Sequence, residues 1–372
     1  MKYLFLVFTL FFANSAYCVN FEFTNLSKPK IKQENSIAVQ KIVSDDEINS
    51  YKSELNDKMK KLGISRYTRF RIMNNCEYIR SMVESDKSQP EVKISLNKYL
   101  SHIKDLSYIK SKSYSFYLEN IDLFEGVEKI FGVEAEVINS LFFTETAFGK
   151  ITGNRKLVNS LFTLAAEGRR RKMFEEQLMH FAYLVDNGVL DINTKGSWAG
   201  AFGICQFMPK SFHRYGVSMD KKYASLFDFK DAVSSTANYL FNTGWGFDGG
   251  IITEVEIPNN IDPDLIGISD LKKKSIKEWK HLGLKLSKTG IGEKYFNNDN
   301  KKAWLVLPDR EFCDLDGSKN RAFLFYDNAI TLMDWNRSMF FVVKIGILHD
   351  IFISGKDDKI KISGYKEKCN LR

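Results

Sequence analysis

Residues 138–149, INSLFFTETAFG, set one carboxylate in an apolar run. A helix at 100° per residue puts Ile138, Leu141, Phe142, Phe148 and Gly149 on one side, with Glu145 among them. A carboxyl packed against Leu and Phe favours its neutral form, which suits a general acid that must still hold its proton at neutral pH. The same pattern fits a core-edge glutamate paired with an arginine, and Glu145 alone does not separate the two. Residues 195–203, KGSWAGAFG, carry three glycines and two alanines immediately before Ile204-Cys205-Gln206-Phe207-Met208-Pro209. Glycines at this density let backbone approach a ligand and leave the polar side chains of Ser197 and Gln206 exposed. Without a ligand, the loop is a turn that opens the next helix. No Asp or Glu occurs from 196 to 215 to serve as a nucleophile opposite Glu145.

The elements that must hold these residues are mostly helices. Ser44-Asp45-Asp46-Glu47 offers capping chemistry ahead of Ile48, Tyr51 and Leu55. Periodicity predicts further helices at 65–84, 91–104, 115–131, 134–148, 155–166, 169–187, 207–214 and 229–243, with a break at Gln89-Pro90. After Gly244, Gly246, Gly249 and Gly250 the pattern changes to short strands at 251–257, 303–307 and 321–326, with a helix at 275–282. A closing helix runs from about Ala329, and its apolar run at 340–353 is broken by Lys344, His349 and Asp350, which reads as a core helix. The chain is therefore expected to be mainly α (α+β). Its parts are a signal peptide at 1–18, a loosely ordered leader at 19–45, an N-terminal helical region at 46–130, a helical core at 131–249, a small β-containing lobe at 250–327, and a C-terminal helix at 328–372 that returns to the core.

At 372 residues, 44% hydrophobic and 27% charged, the chain is long enough for two domains and has no composition suited to a long disordered tract. The net charge of +8 is spread along the sequence with no RRM, zinc-finger or basic-zipper pattern, so no nucleic-acid partner is expected. An anionic polymer or surface suits it, and so does a merely solvated basic surface. Lys2, the apolar run 3–13 and then Asn14, Ser15 and Ala16 read as a secretory signal, too short to span a membrane. Membrane attachment would require lipidation at Cys18, where the preceding Tyr17 is larger than bacterial lipoprotein signals usually carry. Cys76, Cys205, Cys313 and Cys369 have no CxxC or metal spacing, and the five histidines are scattered, so no zinc site and no cofactor are expected.

Four segments in order, Glu145 within TETAFG, 196–209 (GSWAGAFGICQFMP), 231–245 (DAVSSTANYLFNTGW) and 335–338 (WNRS), resemble the family B lytic murein transglycosylases. The resemblance covers about 89–353 and implies a lysozyme-like catalytic domain, exported to the periplasm. Its reaction would cleave the β-1,4 bond between N-acetylmuramic acid and N-acetylglucosamine, with Glu145 as acid and then base. It also implies that Ser197, Gln206 and Asn336 bind the sugars, and that Arg169 and Arg170 meet stem-peptide carboxylates. The alternatives are loop, cap or turn roles for the first three and a solvated helix start for the arginines. Where the family usually carries tyrosines, this chain has Trp335 and Phe341, expected to keep a stacking surface while losing hydroxyls. Cys205 replaces a small or hydroxyl residue, as a small buried side chain or as a reactive thiol at the cleft. The family's founding member has an EF-hand-like metal loop at the segment corresponding to 217–228, here VSMDKKYASLFD. Its two acidic residues, Asp220 and Asp228, alongside Lys221 and Lys222 give too few oxygens, so no metal is expected. The implied partners are peptidoglycan glycan strands and cell-wall machinery. A hydrolytic muramidase on the same fold, or a non-catalytic peptidoglycan-binding protein, is the alternative function.

Overall fold

The structure is a computed structural model that describes residues 44–87, 94–101, 103, 105–309 and 321–369. The expected signal peptide, Cys18, nearly all of the leader, the Gln89-Pro90 break and Cys313 lie outside the described residues, as does the side chain of Cys369.

Helix α1 (Asp45–Lys61) begins at the capping box offered by the sequence: the Glu47 amide donates to Ser44 Oγ at 3.2 Å, and the Ser44 amide donates to Glu47 Oε2 at 3.0 Å. Tyr51, Leu55 and Met59, four apart, form its buried stripe. The helix expected at 65–84 is two, α2 (Arg66–Asn75) and α3 (Arg80–Lys87). Between them the amides of Glu77 and Ile79 donate to Asn159 Oδ1 at 3.3 Å and Thr163 Oγ1 at 2.9 Å, side chains of a helix some 80 residues on that take the place of helical carbonyls. Helix α4 (Leu96–Leu100) precedes α5 (Leu106–Glu119) and α6 (Ile121–Phe131), and the helix expected at 115–131 is interrupted at Asn120, whose φ of −134° leaves the helical region.

Helix α7 (Ala135–Thr146) is the centre of the main core. It buries residues on every side, including Asn139, Ser140 and Thr146, because α5, α6, α11 (Phe229–Asn242) and α15 (Met339–Cys369) surround it. Helix α8 (Leu157–Glu167) packs against α9 (Arg171–Asp186), and α10 (Pro209–Tyr215) lies on α9. The two-residue strands β1 (Arg155–Lys156) and β2 (Lys195–Gly196) pair antiparallel and pin the start of the glycine loop.

The β lobe is an antiparallel five-stranded sheet in the order β4-β6-β7-β3-β5, with β3 (Ile252–Glu256), β4 (Lys274–Ser275), β5 (Lys285–Leu286), β6 (Lys302–Val306) and β7 (Ala322–Phe325). Residues 251–257 alternate as a half-exposed strand would, yet β3 is buried on both faces. Ile252, Trp304, Val306, Phe323 and Phe325 join the main core, while Val255, Leu305 and Leu324 pack in a second core with Trp279 of α12 (Ile276–His281) and Tyr295 of α13 (Glu293–Phe296). The polar positions are satisfied by partners far in sequence. Glu254 accepts Arg321 Nε at 2.7 Å and Nη2 at 2.8 Å, and Thr253 Oγ1 donates to the Gly292 carbonyl at 2.9 Å. After β7 the chain forms α14 (Asp327–Trp335) and enters α15, which brings residues 335–345 back beside α7.

Candidate active site

Glu145 is the penultimate residue of α7, half-buried, at the point where the helix stops. The stop is abrupt. Ala147 (φ 49°) and Phe148 (φ 60°) both adopt the left-handed region that side chains disfavour, followed by Gly149 at 82°. The helical face drawn through Phe148 and Gly149 is thus corrected: both lie past the end of α7, and Phe148 packs on Phe116 in a tilted pair with ring centres 4.6 Å apart. Thr146 holds the turn. Its Oγ1 accepts the Gly149 amide at 2.9 Å and donates to the Ile204 carbonyl at 2.8 Å, tying the end of α7 to the glycine loop.

Trp335, the last residue of α14, donates its indole Nε1–H to Glu145 Oε1 at 3.0 Å. Its ring is held between Tyr239 of α11 (centres 5.0 Å, 75°) and Phe207 (5.2 Å, 63°). Lys344, half-buried on α15 with its ammonium 6.0 Å from the Tyr99 ring centre, also senses Glu145. Burial holds its pKa below the ordinary lysine value, and the glutamate's charge pulls it back up. The expectation that an apolar face alone surrounds Glu145 is corrected accordingly. Leu141 and Phe142 lie in the core behind it, while the Trp335 indole donates to it and the Lys344 ammonium lies within electrostatic range.

The glycine loop is built by close backbone approach. A Cβ on Gly196 would meet the Ala201 carbonyl oxygen at 2.2 Å, and one on Gly203 would meet Leu226 Cβ at 2.3 Å. Ser197 closes the loop by accepting the Ala201 amide on Oγ at 3.1 Å. Gln206, at φ 52°, donates Nε2 to the Gly203 and Thr152 carbonyls at 2.8 and 3.2 Å. Both amide hydrogens are thereby committed, so what Gln206 offers a ligand is its oxygen, an acceptor. It does not cap α10, whose N-cap is Met208. Asn336 ends α14 and accepts the Ser338 amide on Oδ1 at 3.1 Å, leaving its NH2 group as the donating end.

Phe341 is corrected. At 3% exposure it is part of the main core and has no open face for a sugar, because α15 turns that side toward α7. Arg169 and Arg170 lie at the turn between α8 and α9, where the Arg169 amide donates to Glu167 Oε2 at 3.1 Å and the Arg170 guanidinium covers Phe174 at 4.9 Å. Cys205 is fully buried and burial pushes its thiol up to about 12, which excludes the reactive-thiol reading at neutral pH. The segment 217–228 does not suit a hard divalent ion, since the Lys221 ammonium stands 2.7 Å from Asp228 Oδ2 and already neutralises its charge. Sequence reading missed two partners of Glu145. Lys344 was visible as a charge inside an apolar run, but the indole hydrogen bond from 190 residues away left no local signal.

Residues 47–350 match the model of the transglycosylase SLT domain. A 133-residue stretch, 35% of this chain, is 33% identical to the membrane-bound lytic murein transglycosylase B of Escherichia coli (strain K12) and spans 37% of that relative's length. Among solved structures, SltB3 from Pseudomonas aeruginosa in complex with NAG-NAM-pentapeptide matches with a TM-score of 0.71 and 26% identity over 82% of this chain and 79% of that one. The soluble lytic transglycosylase SltB1 from Pseudomonas aeruginosa has the same fold, with a TM-score of 0.68 at 22% identity over 82% of this chain and 99% of its own. The domain match runs from the first turn of α1 into α15 and takes in every segment that meets at Glu145, so this chain belongs to the transglycosylase SLT domain family.

Proposed function

We propose that the chain is a peptidoglycan lytic transglycosylase with Glu145 as its sole acid and base. The observation that carries this reading is the hydrogen bond from Trp335 to Glu145 at 3.0 Å, which orients one carboxylate where α7, the glycine loop and α14 converge. Glu145 carries the proton, its carboxyl oriented by the indole. Glu145 gives it to the glycosidic oxygen as the bond from that oxygen to the muramic C1 breaks, and the substrate's own N-acetyl oxygen stabilises the positive charge at C1. The muramic C6 hydroxyl oxygen then bonds to C1, its proton returns to Glu145, and a 1,6-anhydro ring closes with no water consumed. The acceptor of Gln206, the donor of Asn336 and the hydroxyl of Ser197 would hold the sugars, with Arg169 and Arg170 toward the stem peptide. That SltB3 has been solved with NAG-anhNAM-pentapeptide as well as NAG-NAM-pentapeptide supports the anhydro product. In this reading residues 1–18 direct export and the lysozyme-like body acts in the periplasm. No helix among the described residues is long and apolar enough to cross a membrane.

Digestion of isolated glycan strands tests it. Wild type should release fragments whose muramic ends lack one water, and Glu145→Gln should lose roughly 10²–10⁴-fold in rate, the usual contribution of a general acid–base. Reducing ends would identify a hydrolytic muramidase instead. An inert wild type that still sediments with peptidoglycan would identify a binding protein.

A further inference from the structure

Asp231, in the first turn of α11, is 1% exposed. Its Oδ2 accepts the Ser225 amide at 2.8 Å, but its Oδ1 meets no hydrogen-bond donor among the described residues. A carboxylate so buried and incompletely bonded needs a cation. Lys221 supplies one: its Nζ lies 3.8 Å from Asp231 Oδ2 and 2.7 Å from Asp228 Oδ2, while Asp228 Oδ1 caps α11 by accepting the Lys230 amide at 2.9 Å. The ammonium holds the Asp228 carboxyl below its ordinary range, and Asp228 raises the lysine in return. One exposed lysine thus fastens the 217–228 loop to the start of α11.

That loop leads to the active site through two hydrogen bonds. Leu226, next to Ser225, accepts the Ile204 amide on its carbonyl at 2.8 Å, and the Ile204 carbonyl accepts Thr146 Oγ1 at 2.8 Å, one residue from Glu145. Gly203 is pressed so closely on Leu226 that a side chain there would collide, so the turn carrying Gln206 moves with Leu226. We propose that Lys221 is a positioning residue. Its ammonium is a built-in cation that seats Leu226 and, through Ile204 and Thr146, sets the placement of Glu145 and Gln206. The catalytic half of this proposal rests on Glu145 being the acid, whereas the seating of Leu226 does not.

The test compares full-length wild type, Lys221→Met, Lys221→Arg and Asp228→Asn by amide hydrogen exchange at Ile204 and by kcat and KM on glycan strands. Removing the charge should speed Ile204 exchange about three- to fivefold, as expected of a half-exposed ion pair, and lower kcat by a similar factor, with any rise in KM reporting the displacement of Gln206. Lys221→Arg should stay near wild type, and Asp228→Asn should match Lys221→Met. Ile204 exchange unchanged in Lys221→Met, or an arginine variant as impaired as the methionine one, overturns the proposal. Faster exchange with no glycan cleavage by any form keeps the clamp and removes the lytic reading. An effect on KM alone removes the link to Glu145.

Discussion

At the scale of single residues, the site turns on what surrounds one carboxylate. The indole Nε1–H of Trp335 donates to Glu145 Oε1 and so fixes the direction in which that carboxyl points. Trp335→Phe keeps the ring between Tyr239 and Phe207 and deletes only the donor. We expect the variant to fold as the wild type does, since the aromatic packing is kept. We also expect kcat to fall, because the carboxyl loses its orientation. A kcat that stays in place would mean that the indole does not govern the orientation of the carboxyl. This substitution is a sharper probe than polar replacements at Leu141 or Phe142, which are fully buried and would damage the core first.

At the scale of elements, the glycine loop and the end of α7 are fitted to each other through backbone. Gly203 combines a φ of 74° with the 2.3 Å approach to Leu226 Cβ, so Gly203→Ala suffers both a left-handed backbone and a collision. It should destabilise by about 2–4 kcal/mol, measured by chemical denaturation, and depress activity even where the protein remains folded. The 217–228 loop gives a second expectation: millimolar calcium should leave the wild-type melting temperature unmoved, because the Lys221 ammonium already neutralises Asp228. A clear rise would show that the ammonium can be displaced by a metal. Element types were readable from period and caps, as at α1. The division of 65–84 was not, because Asn159 and Thr163 of α8 supply the acceptors that draw the amides of Glu77 and Ile79 out of the helix. Strand β3 misleads in the same way, since its polar positions look solvent-facing until Arg321 and Gly292 arrive to satisfy them.

At the scale of the whole molecule, stability depends on pH through buried titratable groups. His349 on α15 is 5% exposed, and burial pushes its pKa from 6.5 down to about 4. The unfolded chain takes up this proton below about 6.5 while the native chain refuses it until about 4. The contribution is therefore intact above 6.5 and is lost as pH falls toward 4, by about 2–3 kcal/mol for this residue at pH 4.5. Glu134 and Asp350, whose carboxyls burial raises, bind their protons earlier when folded and offset part of the loss. Thermal unfolding from pH 7 to 4.5 should show the decline, and His349→Leu should flatten it; an equal decline in the variant would assign it to other groups. The sequence by itself determined the helical class, the late β lobe, and Glu145 with its glycine loop, because period, caps and small-residue spacing are local properties of the chain. Only the tertiary structure decided which aromatic meets Glu145. Trp335 and Phe341 lie six positions apart on consecutive helical segments, and the packing of α14 and α15 on α7 turns the first toward Glu145 and the second into the core. It also decided that Lys221 and Lys344 are used as cations, since the worth of a charge depends on the carboxylate and the burial that folding places around it.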